Sequence, residues 1–202
     1  MHIGTFTVYL IIASFLFAFS AIHAAGQGES GEANPVVVME TTLGTIKIEL
    51  WRSEAPVTVK NFLRYVDEKF YDGTLFHRII RESLIQGGGL TMDMKPKKNH
   101  EPIVNEASAG LKNDAGTIVM ARTREIHSAT SQFFINMRDN YYLDHRDDTI
   151  QGYGYVAFGR VIEGMDIVKQ IGSVKTDARD MPVIPVVIKR VRRAGEGTSV
   201  NK

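Results

Sequence analysis

The apolar residues of this chain come mostly in short runs, each closed off by Gly, Asn or Asp, and only two stretches keep a helical period. Residues 45–50 (TIKIEL) set the pattern. Ile46, Ile48 and Leu50 fall on one face and Lys47 and Glu49 on the other, the period-two alternation of a half-buried strand. The β-branched run 35–40 precedes it across the short Gly-containing link Thr42-Leu43-Gly44, so the pair reads as a hairpin. Further short runs follow at 75–80, 117–121, 132–136, 156–161 and 186–191. Helical spacing links Val59, Phe62, Leu63, Val66 and Phe70, opened by Ser53-Glu54-Ala55-Pro56 and ended by Asp72-Gly73. It recurs over 163–171, with Met165, Val168 and Ile171 inward. Many short strands with two helices predict a mainly β fold: a largely antiparallel sheet closed as a barrel rather than doubly wound.

The organisation along the chain is simple. Residues 3–22 form an uncharged, largely apolar stretch, followed by His23-Ala24-Ala25-Gly26, small residues that suit signal cleavage after Ala24 or Ala25. Residues 1–25 are therefore expected to be a secretory signal, or an uncleaved anchor, since about 20 apolar residues also reach across a bilayer. No Cys follows the stretch, which excludes a lipid-anchored lipoprotein. Residues 26–34 (GQGESGEAN) and 194–202 (AGEGTSVNK) are small, polar and unpatterned, and read as a flexible leader and tail. One domain is expected over 35–193, and a domain of roughly 150 residues buries enough surface to need no covalent staple. The chain has no Cys at all, which removes disulfides, thiolate metal sites and a Cys nucleophile. Its 24 Lys and Arg against 23 Asp and Glu leave a net charge of +1, with no global footprint for nucleic acid.

Common chemical motifs are missing. Gln86-Gly87-Gly88-Gly89 lacks the Lys-Ser/Thr ending of a phosphate loop and reads as a flexible turn. The six His residues form no close ligand pair, so no metal is expected. Ser128 and Ser131 lack the glycine-flanked elbow of a serine hydrolase. Two segments are less bland. In 76–80 (FHRII), a strand period places Phe76, Arg78 and Ile80 on one face, and an Arg among apolar neighbours is unfavourable unless paired or used. In 131–136 (SQFFIN), Gln132 and Phe134 share a face. Alone, each is equally consistent with a packed Arg stem or a core Gln bonded to backbone.

Taken in order, FHR at 76–78, IQGG at 85–88, GTIVMART at 116–123, SQFFI at 131–135 and FGRVIEGM at 158–165 carry a specific signal. Together they resemble the cyclophilin-type peptidyl-prolyl cis–trans isomerases, over about residues 36–191. The phrasing is similar to the bacterial branch, and the leader to its exported members. The resemblance implies a closed eight-stranded antiparallel β-barrel capped by two α-helices. It implies an isomerase that accelerates X–Pro rotation in exported, proline-containing polypeptides and assists their folding. It also implies a periplasmic or secreted location, a monomer, no nucleic-acid partner, and membrane contact only through an uncleaved N-terminal segment.

No bond breaks in that reaction, so the resemblance implies neither cofactor nor metal. It assigns catalysis to Arg78, to Gln86, which would hold the arginine and the substrate backbone, and to Phe76 beside it. Phe134 would wall the proline ring. Gln132, Ala121 and Arg122 match positions contacting the residue before proline, with Arg122 acting through its backbone. Leu84 replaces a methionine of similar volume. Tyr142 stands at a position often held by tryptophan, followed by Leu143, and Tyr155 stands where relatives carry histidine. Ser83 is the sharpest departure, because relatives place an aromatic there. Losing a ring from a proline pocket would remove about 1–3 kcal/mol of apolar contact. The expectation is therefore a competent but weakened isomerase that binds cyclosporin-like ligands poorly. The alternative is a weakly active or inactive cyclophilin-fold binding module for Pro-containing segments.

Overall fold

The computed structural model describes residues 33–195. The expected signal segment, nearly all of the leader and most of the tail lie outside the described residues.

Eight strands close into an antiparallel barrel: β1 (Val36–Thr41), β2 (Thr45–Leu50), β3 (Thr74–Ile80), β4 (Leu84–Gly87), β5 (Thr117–Met120), β6 (Phe133–Asn136), β7 (Ala157–Glu163) and β8 (Val186–Arg193). Around the barrel the order is β1-β2-β7-β5-β6-β4-β3-β8. Helix α1 (Pro56–Asp67) follows β2, and α2 (Met165–Gly172) follows β7. The alternation in β2 does what its period dictates: Ile46, Ile48 and Leu50 are fully buried and oppose β1, where Val37 and Met39 point the same way. Inside, the aromatics interlock. Phe62 of α1 packs edge-on against Phe133 with ring centroids 5.7 Å apart, and in a tilted pair against Phe158 at 5.2 Å.

Three local readings need correction. Helix α1 ends at Asp67, short of Asp72-Gly73, because Lys69 turns the backbone left-handed at φ 55°. Phe70 still reaches the core, from the turn beyond the helix, with its ring 4.6 Å from that of Tyr65. The start of α1 is capped from a distance rather than by Ser53 or Glu54. The Val57 and Thr58 amides donate to the two carboxylate oxygens of Glu106 at 3.0 and 2.7 Å, and the Thr58 hydroxyl adds a bond of 2.6 Å. A carboxylate there satisfies orphan amides and complements the helix dipole.

The third correction concerns 86–89, which is not a free turn. Gln86 and Gly87 belong to β4. A Cβ on Gly87 would lie 2.7 Å from the Leu75 carbonyl oxygen, and Gly88 sits at φ 82° with Phe133 and Tyr71 pressed against it. The glycines let β4 approach β3 closely, so this short strand hides behind a turn-like composition.

Candidate active site

The faces of β4, β5, β6 and β7 that point away from the barrel interior meet, beside β3, in a second, smaller apolar cluster. Leu84, Val119, Phe134 and Ala157 form it, with Trp51, Ile80, Ala121, Leu143 and Tyr155 packed against them. Above this cluster lies a groove of about 310 Å³, lined by Arg78, Ile80, Leu84, Gln86, Ala121, Arg122, Phe134, Tyr142, Leu143 and Tyr155. Strand register explains the assembly. Arg78 opposes Gln86 across β3–β4, Gln86 opposes Phe134 across β4–β6, and Phe134 opposes Val119 across β6–β5. Residues opposite one another share a face, so three short strands bring a cation, an amide and a ring side by side.

The amide of Gln86 does not hold the arginine. Its Nε2 donates to Gln132 Oε1 at 3.0 Å, which draws Gln132 to the groove's edge although it does not line the floor. The Arg78 side chain is about half exposed and has one charged neighbour, Asp180, with Nε 3.8 Å from Oδ2. Among the described residues, Arg78 makes no side-chain hydrogen bond and no other ion pair. Its guanidinium donors are available to a ligand.

Arg122 is committed differently. Its Nε donates to the Gly154 carbonyl at 2.9 Å, one terminal nitrogen donates to the Thr123 and Arg124 carbonyls at 3.1 and 3.2 Å, and the other donates to Ile150 at 3.2 Å. The guanidinium also lies 4.7 Å from the centroid of the Tyr155 ring, whose own edge meets Phe134 at 5.9 Å. Arg122 thus fastens two loops and braces one wall of the groove, and its charged end is occupied by those loop carbonyls.

Behind the opposite wall runs a buried polar network. The Ser83 hydroxyl donates to Asn140 Oδ1 at 3.1 Å, and Asn140 Nδ2 donates to the Ser83 carbonyl at 3.2 Å and to Asn136 Oδ1 at 2.8 Å. Asn136 Nδ2 continues to Thr117 at 3.0 Å, and Asn113 donates to Asp144 and to the Tyr155 carbonyl. Satisfied buried networks of this kind hold backbone in one arrangement. Here they tie β4 and Tyr155 to the 3₁₀ turn (Tyr141–Leu143) that presents Tyr142 and Leu143 to the groove.

Besides the Gln86 contact, two further sequence expectations change. Ser83 does not line the groove. It is almost fully buried in the network, so the apolar wall is built from Ile80, Leu84, Phe134, Leu143 and Tyr155 without it. Phe76 is also absent from the groove, because the β3–β4 register shifts between Phe76 and Arg78. Phe76 opposes Gly87 while Arg78 opposes Gln86, so His77 is an extra residue and the alternation reverses across it. Phe76 turns into the barrel, its ring 6.1 Å from that of Phe133. His77, at the bulge, has its Nδ1 buried with no hydrogen-bond partner among the described residues. Burial, reinforced by the Arg78 charge, holds its imidazole below the ordinary pKa, against an opposing contact with the Leu75 backbone.

Ile80 and Asp180 belong to the site; the sequence placed Ile80 on the Arg78 face without giving it a role, and did not mark Asp180. Ile80 stands two residues beyond Arg78 on the same strand face, which was signal enough. Asp180 comes from the distant loop before β8 and carries no local mark. Among the described residues, no cluster of three or more His, Asp or Glu side chains could hold a metal ion.

Residues 36–193 match the family model described as cyclophilin type peptidyl-prolyl cis-trans isomerase/CLD. Among curated relatives, peptidyl-prolyl cis-trans isomerase cyp18 of Streptomyces antibioticus is 52% identical over 163 residues, covering 79% of this chain and 98% of that protein. Peptidyl-prolyl cis-trans isomerase B of Escherichia coli K12 is 48% identical over 160 residues, covering 77% and 98%. A crystal structure of a Cryptosporidium parvum cyclophilin-type isomerase superimposes with a TM-score of 0.68 at 26% identity, covering 81% of this chain and 99% of the other. A second structure of that isomerase, determined in the presence of the dipeptide Ala-Pro, gives a TM-score of 0.67 at 27% identity, covering 78% of this chain and 98% of the other.

Proposed function

Because this chain belongs to the cyclophilin-type peptidyl-prolyl cis–trans isomerase family, we propose that it turns over X–Pro bonds of exported polypeptides in the groove beside Arg78, assisting their folding. The chain is an enzyme of the peptidyl-prolyl isomerase class, as its relatives at about half identity are named. Rotation about an amide must break C–N resonance, a barrier of ~18–20 kcal/mol, and for X–Pro it takes tens to hundreds of seconds uncatalysed. The catalyst must bind the twisted amide more tightly than either planar isomer.

The proline ring lies on the apolar floor made by Leu84, Phe134 and Leu143, where burying it contributes on the order of 2 kcal/mol. Arg78 then donates to the prolyl nitrogen, whose lone pair is released only as the bond twists. That bond exists in the transition state and not before it, which is what accelerates a reaction. Lowering the barrier by about 4 kcal/mol yields roughly a thousandfold. Gln86 and Gln132, joined at 3.0 Å, offer their remaining amide groups to the substrate backbone. The observation that carries this reading is a guanidinium that makes no hydrogen bond among the described residues, at the rim of a groove floored by Leu84, Phe134 and Leu143.

The exported role rests on residues 3–26, whose apolar stretch and small-residue end have the form of a secretory signal. A periplasmic or secreted location and a monomeric state belong to the same proposal. The catalytic reading is tested by a protease-free prolyl-peptide assay of the wild type and Arg78→Ala, where equal rates refute it. The export reading is tested by intact mass of the protein from the extracytoplasmic fraction. It predicts a chain beginning at Ala25 or Gly26, or the full chain held in the membrane fraction.

A further inference from the structure

We infer that Asp180 is a positioning residue for Arg78. This rests on the catalytic reading above, and adds a carboxylate from outside the groove to the machinery. The cross-strand partner of Arg78 is Gln86, but that amide is turned to Gln132. Among the described residues, the group poised to orient the guanidinium is Asp180, whose Oδ2 faces Nε at 3.8 Å. Approach at Nε aligns the planar fork from its stem side and leaves both terminal nitrogens for the ligand. A carboxylate paired with those terminal nitrogens would instead consume the donors.

The loop that carries Asp180 is built to hold it there. Beyond Phe76, β3 no longer pairs with β8, and the Ile79 amide donates instead to the Asp180 carbonyl at 2.7 Å. Asp180 occupies left-handed backbone, φ 63°, a conformation that Asp, Asn and Gly accept more readily than other residues. The turn is closed by Asp177, whose carboxylate accepts from the Arg179 and Met181 amides at 2.8 and 3.0 Å. Its backbone pairs with Met181 at 2.8 Å, and a bridge joins Thr176 to Pro182. A rigid loop therefore places one carboxylate beside the arginine, immediately next to the residue it is bonded to.

Two half-exposed groups at this separation add little to stability. Their coupling is thus separable from folding. Asp180→Asn and Asp180→Gly both suit the left-handed backbone and keep the carbonyl that binds Ile79, while removing the charge. Each is expected to lower kcat about three- to tenfold with KM within about twofold, the split of an interaction used in the transition state. The melting temperature should be unchanged, and the Arg78 Nε–Hε resonance should shift in a ¹⁵N-resolved spectrum. Arg179→Ala, a charge change on the same turn, should leave rate and resonance alone.

Wild-type kcat in Asp180→Asn, alongside a large loss in Arg78→Ala, would overturn the inference while leaving the catalytic reading intact. So would a loss of rate that follows the melting temperature across the variants. Wild-type rate in Arg78→Ala would sink both together.

Discussion

Ser83 and Asn140 exchange two hydrogen bonds: the serine hydroxyl donates to Asn140 Oδ1 at 3.1 Å, and Asn140 Nδ2 donates to the serine carbonyl at 3.2 Å. The residue that looks, in sequence, like a hole in a proline pocket is thus a member of a buried network behind it. A phenylalanine there would have to displace Asn140 and strand its amide, or overfill a packed site. Ser83→Phe is expected to destabilise the protein by about 2–4 kcal/mol through lost hydrogen bonds and overpacking, with no gain in turnover. Chemical denaturation and the isomerase assay on the same sample check this, and a stable, faster variant would contradict it.

Arg78→Lys separates charge from shape. Lysine keeps the cation but loses the planar fork, so it cannot serve a twisted nitrogen and a neighbouring carbonyl together. We expect kcat/KM to fall about 30-fold or more, equivalent to roughly 2 kcal/mol of lost transition-state stabilisation. The thermal melt should match wild type, because the side chain is half exposed and makes no hydrogen bond among the described residues. Exchange spectroscopy on a prolyl tetrapeptide, at several concentrations, reads both kcat and KM.

Tyr142 lines the groove while remaining 58% exposed. Truncation to Ala removes ligand contact without opening a core cavity. The expected outcome is a KM raised about two- to fivefold with little change in kcat, the mark of uniform binding. Phe134→Ala is the contrast. Its ring is almost fully buried between Leu84, Tyr155 and Val119, so it should lower stability by about 3 kcal/mol as well as weaken binding.

His77 predicts a pH dependence of stability. Its folded pKa lies below the ordinary value of 6.5, chiefly because the ring is buried. Between that lower value and 6.5, the unfolded chain binds a proton that the folded chain does not. Stability therefore declines as pH falls through about 6.5, and the decline stops once the folded imidazole also titrates. Melts at about pH 7.5 and about pH 5.5 should show a smaller difference in His77→Leu than in wild type. An identical slope in the variant would contradict the assignment.

Much of this molecule was legible before its tertiary structure. The alternation in 45–50, the helical spacing from Val59 to Val66 and the short apolar runs marked out the barrel's elements, because periodicity is local. Strand β4 was missed for an equally local reason. Its four residues run into three glycines, and glycine reads as a turn unless close approach to another strand is known. Arg78, Gln86 and Phe134 were legible as an ordered set of motifs, and strand register brings them together.

What the residues determined alone is the binary pattern of each element and the kinds of chemical group available to the groove: a cation, two amides and several rings. Which way those groups face was decided only by pairing between strands. One extra residue at His77 reverses the alternation, sending Phe76 into the core and leaving Arg78 outside. Register is a relation between two segments, and a bulge in it leaves no trace in either segment read singly. For the same reason the hydroxyl of Ser83 and the carboxylate of Asp180 found partners far away in sequence, and the guanidinium of Arg122 reached the distant carbonyls of Ile150 and Gly154. Hydrogen bonding and charge act through space, and the chain brings those groups within reach only after it has closed its barrel.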